Sequence, residues 1–263
     1  VDQYFETNKQ LWNKLTQINI GSKFYDVDGF EAGKLSLNSI EMSEVGDVRD
    51  KTLLHLQCHF GMDTISWAKL GAKVTGIDIS ENAIIKAREL SNKLEVNANF
   101  ICTDIYNSPN KINEKFDIVF TSYGTICWLP DLNNWGEVIK EFIKPGGFFY
   151  IVEFHPVVLM LDEAGKKLKY PYFHSDEPLS FENESSYAEP DTKINQVSYE
   201  WTHSLSDAIN ALINAGLKIE YVHEYPYSVY NCWTFLTEIE PGKWVVKDYP
   251  NLLPLMYSIK ASN

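Results

Sequence analysis

The sequence predicts an α/β domain built on a doubly wound, mostly parallel sheet. Three observations carry the prediction. The apolar run Leu53-Leu54-His55-Leu56 leads through Gln57-Cys58-His59-Phe60-Gly61 into a helical pattern at Met62-Asp63-Thr64, and a second strand ends on Gly76-Ile77-Asp78-Ile79-Ser80. In open α/β sheets such a turn approaches a nucleoside through its backbone, and the acid accepts hydrogen bonds from ribose hydroxyls. The order β-α-β-α-β-β-α-β between Lys51 and Phe154 is the pattern of right-handed crossovers. The first strand is a short, nearly continuous apolar run, as expected where both faces are covered.

Each element has a local cause. Tyr4, Phe5, Leu11, Trp12, Leu15 and Ile18 share one face of a helix over Asp2–Ile18. Gly21–Gly33 reads as loop and Leu37–Val45 as a second helix. Lys51–Gln57 is the first strand. Met62–Leu70 is the crossover helix, stopped by Gly71. Lys73–Asp78 is the next strand, and Ser80 with Glu81 opens a helix to about Lys93. Strands follow at Asn99–Cys102 and Phe116–Thr121, then a helix at Asn133–Ile143. Lys144-Pro145-Gly146-Gly147 is a sharp turn before the strand Phe148–Phe154. From His155 to Thr202 aromatics alternate with acids and prolines, so 156–202 reads as an insertion of hairpin or lid type after strand five. Ser204-Leu205-Ser206-Asp207 caps a helix to Ala215. Leu217–Glu224 and Leu253–Lys260 bring the sheet to seven strands, with aromatic loops between them.

The chain has 263 residues, enough for one domain with an embellishment. Residues 1–50 form a helical cap on that single domain. Lysine and arginine total 23 against 36 acids, a net charge of −13, which disfavours nucleic acid and anionic membranes as partners. No apolar stretch reaches the roughly 20 residues of a membrane span, and the first residues lack the basic start and apolar core of a secretion signal. Cys58, Cys102, Cys127 and Cys232 are scattered, as free thiols in a reducing compartment would be, and the cytoplasm is the default location. No metal site is predicted from the cysteines and histidines.

Four motifs stand in order: Leu54–Gly61, Asp78, the Asp104 region, and Phe142-Ile143-Lys144-Pro145-Gly146-Gly147. Their arrangement resembles class I S-adenosylmethionine-dependent methyltransferases, closely over Lys51–Phe154 and loosely beyond. Leu-His-Leu-Gln-Cys-His-Phe-Gly and the later Cys127-Trp128-Leu129-Pro130-Asp131 are similar to a bacterial subgroup acting on small molecules. The resemblance implies a Rossmann-like methyltransferase fold, S-adenosyl-L-methionine as cofactor and a small-molecule methyl acceptor. It also marks departures. Family members carry an acid where this chain has His55, and glycines where it has Gln57 and His59; the absent acid normally helps to hold the cofactor's ammonium.

The resemblance further implies a cofactor site of Gln57, Cys58, His59, Gly61, Asp78, Ile79, Thr103, Asp104, Ile105 and Ser122. Asp78 takes both ribose hydroxyls. Asp104 accepts from the adenine amine, with Ile79 and Ile105 on either side of the ring. Tyr123 and Trp128 face the acceptor or pack in the core. Tyr4, Trp12 and Tyr25 form a cap or simply pack. His155 and His203 are candidate bases, each also readable as structural, and Glu153 is a weaker candidate. Two other functions stay open: a nicotinamide-dinucleotide oxidoreductase, which would carry the GxGxxG loop absent here, and an inactive scaffold of the same fold.

Overall fold

The computed structural model describes residues 2–263. Its elements run α1 (Asp2–Asn19), α2 (Val27–Glu31), α3 (Ser39–Val45), β1 (Thr52–Leu56), α4 (Met62–Lys69), β2 (Lys73–Asp78), α5 (Glu81–Lys93), β3 (Ala98–Cys102), β4 (Phe116–Ser122), α6 (Leu132–Phe142), β5 (Ile143–Phe154), α7 (Pro156–Leu159), β6 (Leu179–Ser186), β7 (Glu189–Glu200), α8 (Leu205–Asn214), β8 (Lys218–Tyr225), β9 (Leu236–Glu240), β10 (Lys243–Val246) and β11 (Met256–Ser262). Seven strands form one sheet in the order β3-β2-β1-β4-β5-β11-β8. Neighbours from β3 to β5 are parallel, and β11 runs antiparallel to both β5 and β8. This is the doubly wound, mostly parallel sheet expected from the crossover pattern.

Strand alternation divides the core between the two faces. Leu54 and Leu56 of β1 turn toward Trp135, Ile139 and Phe142 of α6 and Leu212 of α8. Leu53 turns the other way, toward Trp67 of α4 and Tyr150 of β5. Trp67, Trp135, Tyr150 and Phe149 are almost wholly buried, and each such side chain contributes about 2–3 kcal/mol of hydrophobic stabilisation. Gly136 lets α6 cross α8 closely, since a Cβ there would stand 2.5 Å from the Ala211 carbonyl oxygen.

Three segments differ from expectation. Gly21–Gly33 is not all loop: Asp26 accepts from the Gly29 amide at 3.2 Å and starts the short α2. The aromatic stretch after β8 is not all loop either, because β9 and β10 pair as a hairpin. Lys144–Gly147 bulges out within a longer β5, whose pairing with β4 jumps from Phe116↔Ile143 to Ile118↔Phe148. Within 156–202, β6 and β7 form an antiparallel hairpin separate from the main sheet. That hairpin lies against α1: Asn8 Nδ2 donates to the Tyr199 carbonyl at 2.7 Å, and Asn8 Oδ1 accepts from the Tyr199 amide at 2.9 Å. The other side of α1 docks on the start of α5, where Asn13 Oδ1 accepts from Ser80 Oγ at 2.7 Å and from the Asn82 amide at 3.1 Å.

Candidate functional site

The carboxyl ends of β1 to β4 open into a cavity of about 960 Å3, within the roughly 300–1,000 Å3 of small-molecule sites. Its floor is the turn after β1. Gly61 stands at φ 81°, and a Cβ there would lie 2.7 Å from the Phe100 ring. Gln57 and His59 take φ 54° and 51°. The turn therefore keeps left-handed backbone at positions filled by larger residues, at about 1 kcal/mol each. Their side chains are used instead. Gln57 Nε2 donates to the Thr125 carbonyl at 2.9 Å. The His59 ring packs against Trp12, Tyr25 and Phe60.

Asp78 ends β2 on the cavity wall. Its Oδ2 accepts from the His59 amide at 2.8 Å and its Oδ1 from the Ser80 amide at 2.9 Å. Those amides aim the carboxylate, and two of its roughly four acceptor positions remain. Burial outweighs the amides and pushes the carboxyl up to about 6. Cys58, Ile79, Thr103, Asp104, Ile105, Ser122, Tyr123 and Trp128 also line the cavity. Asp104 is partly committed elsewhere: its oxygens accept from the Asn107 amide at 3.0 Å and from Asn107 Nδ2 at 2.7 Å. Trp128 Nε1 donates to the Gly124 carbonyl at 2.8 Å, and its ring meets Trp12 edge-on. Trp12 and Tyr25 reach the cavity, and the Tyr25 hydroxyl meets that of Tyr187 at the tip of the β6–β7 hairpin.

The two candidate bases do not reach this wall. His155 caps α7, its Nδ1 accepting from the Val157 amide at 3.1 Å, while its Nε2 sits 2.9 Å from Glu224 Oε1. His203 donates from Nε2 to the Leu129 carbonyl at 2.7 Å and stacks on His174; burial lowers it to about 4, so it is neutral. His155 follows β5 directly but is committed to the start of α7, and His203 is committed to the Leu129 carbonyl, so neither lines the cavity. Tyr4 packs on Tyr199 and Trp201 rather than on the cavity. Glu153 lies beneath the wall, where it accepts from the amides of Gly124 (2.5 Å), Thr125 (2.7 Å) and Phe154 (2.7 Å). It thereby holds the turn in which Tyr123 stands at φ 53°.

Sequence reasoning gave no role to Asp63, Glu41 or Tyr230. Asp63, in the first turn of α4, lines the cavity, accepts from Ser36 Oγ at 2.6 Å and receives Ser122 Oγ at 3.4 Å; burial raises its carboxyl. Glu41 lies behind the wall, accepts from Tyr123 Oη at 2.5 Å and from the Asn38 amide at 2.6 Å, and is pushed up to about 7 by burial. Tyr230 arrives from the distant β8–β9 connection and meets Tyr123 edge-on. The spacing of Asp63 from Gly61 was visible in the chain; the meetings of Glu41 and Tyr230 with Tyr123 were not. His55 and His59 are four residues apart, but one is on a strand and the other in the turn. Among the described residues no group of three or more His, Cys, Asp and Glu is placed to hold a metal ion, and no helix is long and apolar enough to cross a membrane.

Residues 53–147 match the family model of a methyltransferase domain. A ubiquinone biosynthesis O-methyltransferase of Pseudoalteromonas translucida is 30% identical over 132 residues, 48% of this chain and 55% of the relative. The chain spans about half the length of the curated relatives it matches. Two solved S-adenosylmethionine-dependent methyltransferases share the fold. The one from Clostridium acetobutylicum has a TM-score of 0.57 at 15% identity, covering 96% of each chain. The one from Mesorhizobium loti has a TM-score of 0.56 at 16% identity, covering 85% of this chain and 96% of its own. The matched residues contain the turn after β1, Asp78 and the strand ends that frame the cavity, so the match to a methyltransferase domain covers the site itself.

Proposed function

We propose that the protein uses S-adenosyl-L-methionine to methylate a small molecule by in-line transfer to a nucleophilic atom. The observation that carries the reading is Asp78, a carboxylate oriented by two backbone amides at the end of β2 with acceptor capacity left on the cavity side. In this reading Asp78 grips the ribose diol, Ile79 and Ile105 enclose the adenine, and Thr103 and Asp104 border it. Gln57, Cys58, His59 and Gly61 present backbone along the ligand, with Ser122 toward the methionine part. When bound, the cofactor supplies a methyl group activated by its sulfonium. The chain holds the acceptor behind that methyl in a near-attack pose, roughly 3–3.5 Å away. Trp12, Trp128, Tyr25 and Tyr187 exclude water and offer ring faces to positive charge.

An oxygen acceptor suits both the relatives' names and the wall. Tyr123 lines the cavity with its hydroxyl on buried Glu41. As an acceptor hydroxyl gives its proton to Tyr123 Oη, the Tyr123 proton passes to Glu41 Oε2. No histidine on the wall supplies this step, because burial holds His55 and His59 down to about 3. Residues 1–50 act as the cap and 156–202 as the lid of a single domain. The charge of −13 and the free cysteines support a cytoplasmic enzyme that does not bind polyanions.

The test is calorimetric titration with S-adenosylhomocysteine. Binding is expected in preference to NAD or NADP, and Asp78→Ala should weaken it by about 1.5–3 kcal/mol, the range for hydrogen bonds to a charged group. A folded protein that ignores the product nucleoside at millimolar concentration would be a scaffold instead.

A further inference from the structure

Asp63 is a carboxylate without a counter-charge on the wall of a cavity proposed to take a cationic ligand. Its oxygens meet only hydroxyls, Ser36 Oγ at 2.6 Å and Ser122 Oγ at 3.4 Å, and among the described residues no lysine, arginine or histidine nitrogen forms an ion pair with it. The ionisable groups that act on it or feel its charge are Glu41, Tyr25, Tyr230 and Cys58, none of them a cation. Lys34 is the one lysine or arginine on the wall among the described residues, and it is engaged with Asp26 at 2.9 Å. Holding a carboxylate in such a place opposes its ionisation, as its raised carboxyl records. A ligand cation would remove that cost.

Position selects which cation. Asp78 ends β2, and Thr103–Ile105 follow β3 at one side of the cavity. Asp63 and Ser122 stand at the other side, where β1 pairs with β4. A nucleoside held by its diol at Asp78, with its base toward β3, must send its 5′ substituent toward Asp63. Gln57 lines the same cavity and carries a buried Oε1 with no donor, a second acceptor for an N–H group. His55 is neutral and its Nδ1 is engaged with Thr64 Oγ1 at 2.8 Å, so it supplies no charge. We propose that Asp63, braced by Ser36 and Ser122, binds the α-ammonium group of the cofactor's methionine part. The assignment rests on the cofactor reading above.

The experiment measures binding to the full chain, with no acceptor needed. Three probes are titrated: S-adenosylhomocysteine, its deaminated analogue S-(3-carboxypropyl)-5′-thioadenosine, and 5′-methylthioadenosine, which lacks the whole amino-acid part. Wild-type protein is expected to bind S-adenosylhomocysteine about 10- to 100-fold more tightly than the deaminated analogue. Asp63→Asn should erase that preference while leaving methylthioadenosine affinity within about twofold. A deaminated analogue that binds wild type as well as S-adenosylhomocysteine overturns the proposal without any variant. Preference retained in Asp63→Asn, or equal loss for all three probes, overturns it as well. If wild type binds none of the nucleosides, the cofactor reading fails first; if it binds them and Asp63→Asn changes nothing, only the Asp63 assignment fails.

Discussion

The carboxyl groups of this site differ by what surrounds them. Asp78 stands at about 6 because burial exceeds the help of its amides. Its ionised form accepts from two hydroxyls, whereas a protonated carboxyl presents a donor on one oxygen. Affinity for S-adenosylhomocysteine should therefore be full above about pH 7 and fall as pH drops through 6, to about tenfold weaker at pH 5. Calorimetry across that range checks it, and the slope should shrink in Asp78→Asn. Glu153 is likewise a buried carboxylate whose partners are all donors, but it lies off the cavity. Glu153→Gln turns an amide N–H toward backbone N–H groups and should cost about 2–4 kcal/mol in urea unfolding; an unchanged midpoint would show that the turn holds without it. Tyr123→Phe removes the hydroxyl between acceptor and Glu41. With a phenolic acceptor its turnover should fall about 100-fold while S-adenosylhomocysteine affinity stays put. Equal turnover would mean that the acceptor's proton leaves by another route.

Elements here start and stop for local reasons that the chain displays. Ser80 caps α5 by accepting from the Ala83 amide, and Ser204 with Asp207 forms a complete capping box on α8. The other end of α5 is less well served. Glu95 follows Leu94 at φ 53° with an exposed side chain, a left-handed position that glycine takes without a Cβ clash. Glu95→Gly should stabilise the protein by about 0.5–1 kcal/mol, seen as a higher melting temperature. A lower one would mean that the Glu95 side chain favours the helix end in a way its backbone does not reveal. The short α2 escaped the sequence reading because five residues cannot show a helical period. Its signal was Asp26, a cap placed three residues before Gly29. The β9–β10 hairpin escaped because its strands are only five and four residues long; its signal was Pro241-Gly242 between them.

Across the whole molecule, a tightly covered sheet carries a lightly anchored roof. β1, β4 and β5 from Phe149 to Glu153 are buried almost throughout, whereas β6 and β7 have few buried positions and rest mainly on α1. Amide exchange followed by mass spectrometry should be slowest in β1, β4 and β5 and clearly faster in residues 179–200, with added S-adenosylhomocysteine slowing the turn after β1. Exchange in the hairpin as slow as in β4 would make it part of the sheet's cooperative unit and not a separable lid. The sequence by itself determined the strands, the crossovers, the turn after β1 and Asp78 at a strand end, because these follow from period, caps and spacing within some 30 residues. Only the tertiary structure decided what the cavity contains. It turned His155 onto the start of α7 and His203 onto the Leu129 carbonyl, and it brought Glu41 and Tyr230 to Tyr123. It also left Asp63 facing the cavity without a cation. Those outcomes depend on contacts between segments far apart in the chain, whose side-chain directions are set by packing that no local pattern encodes.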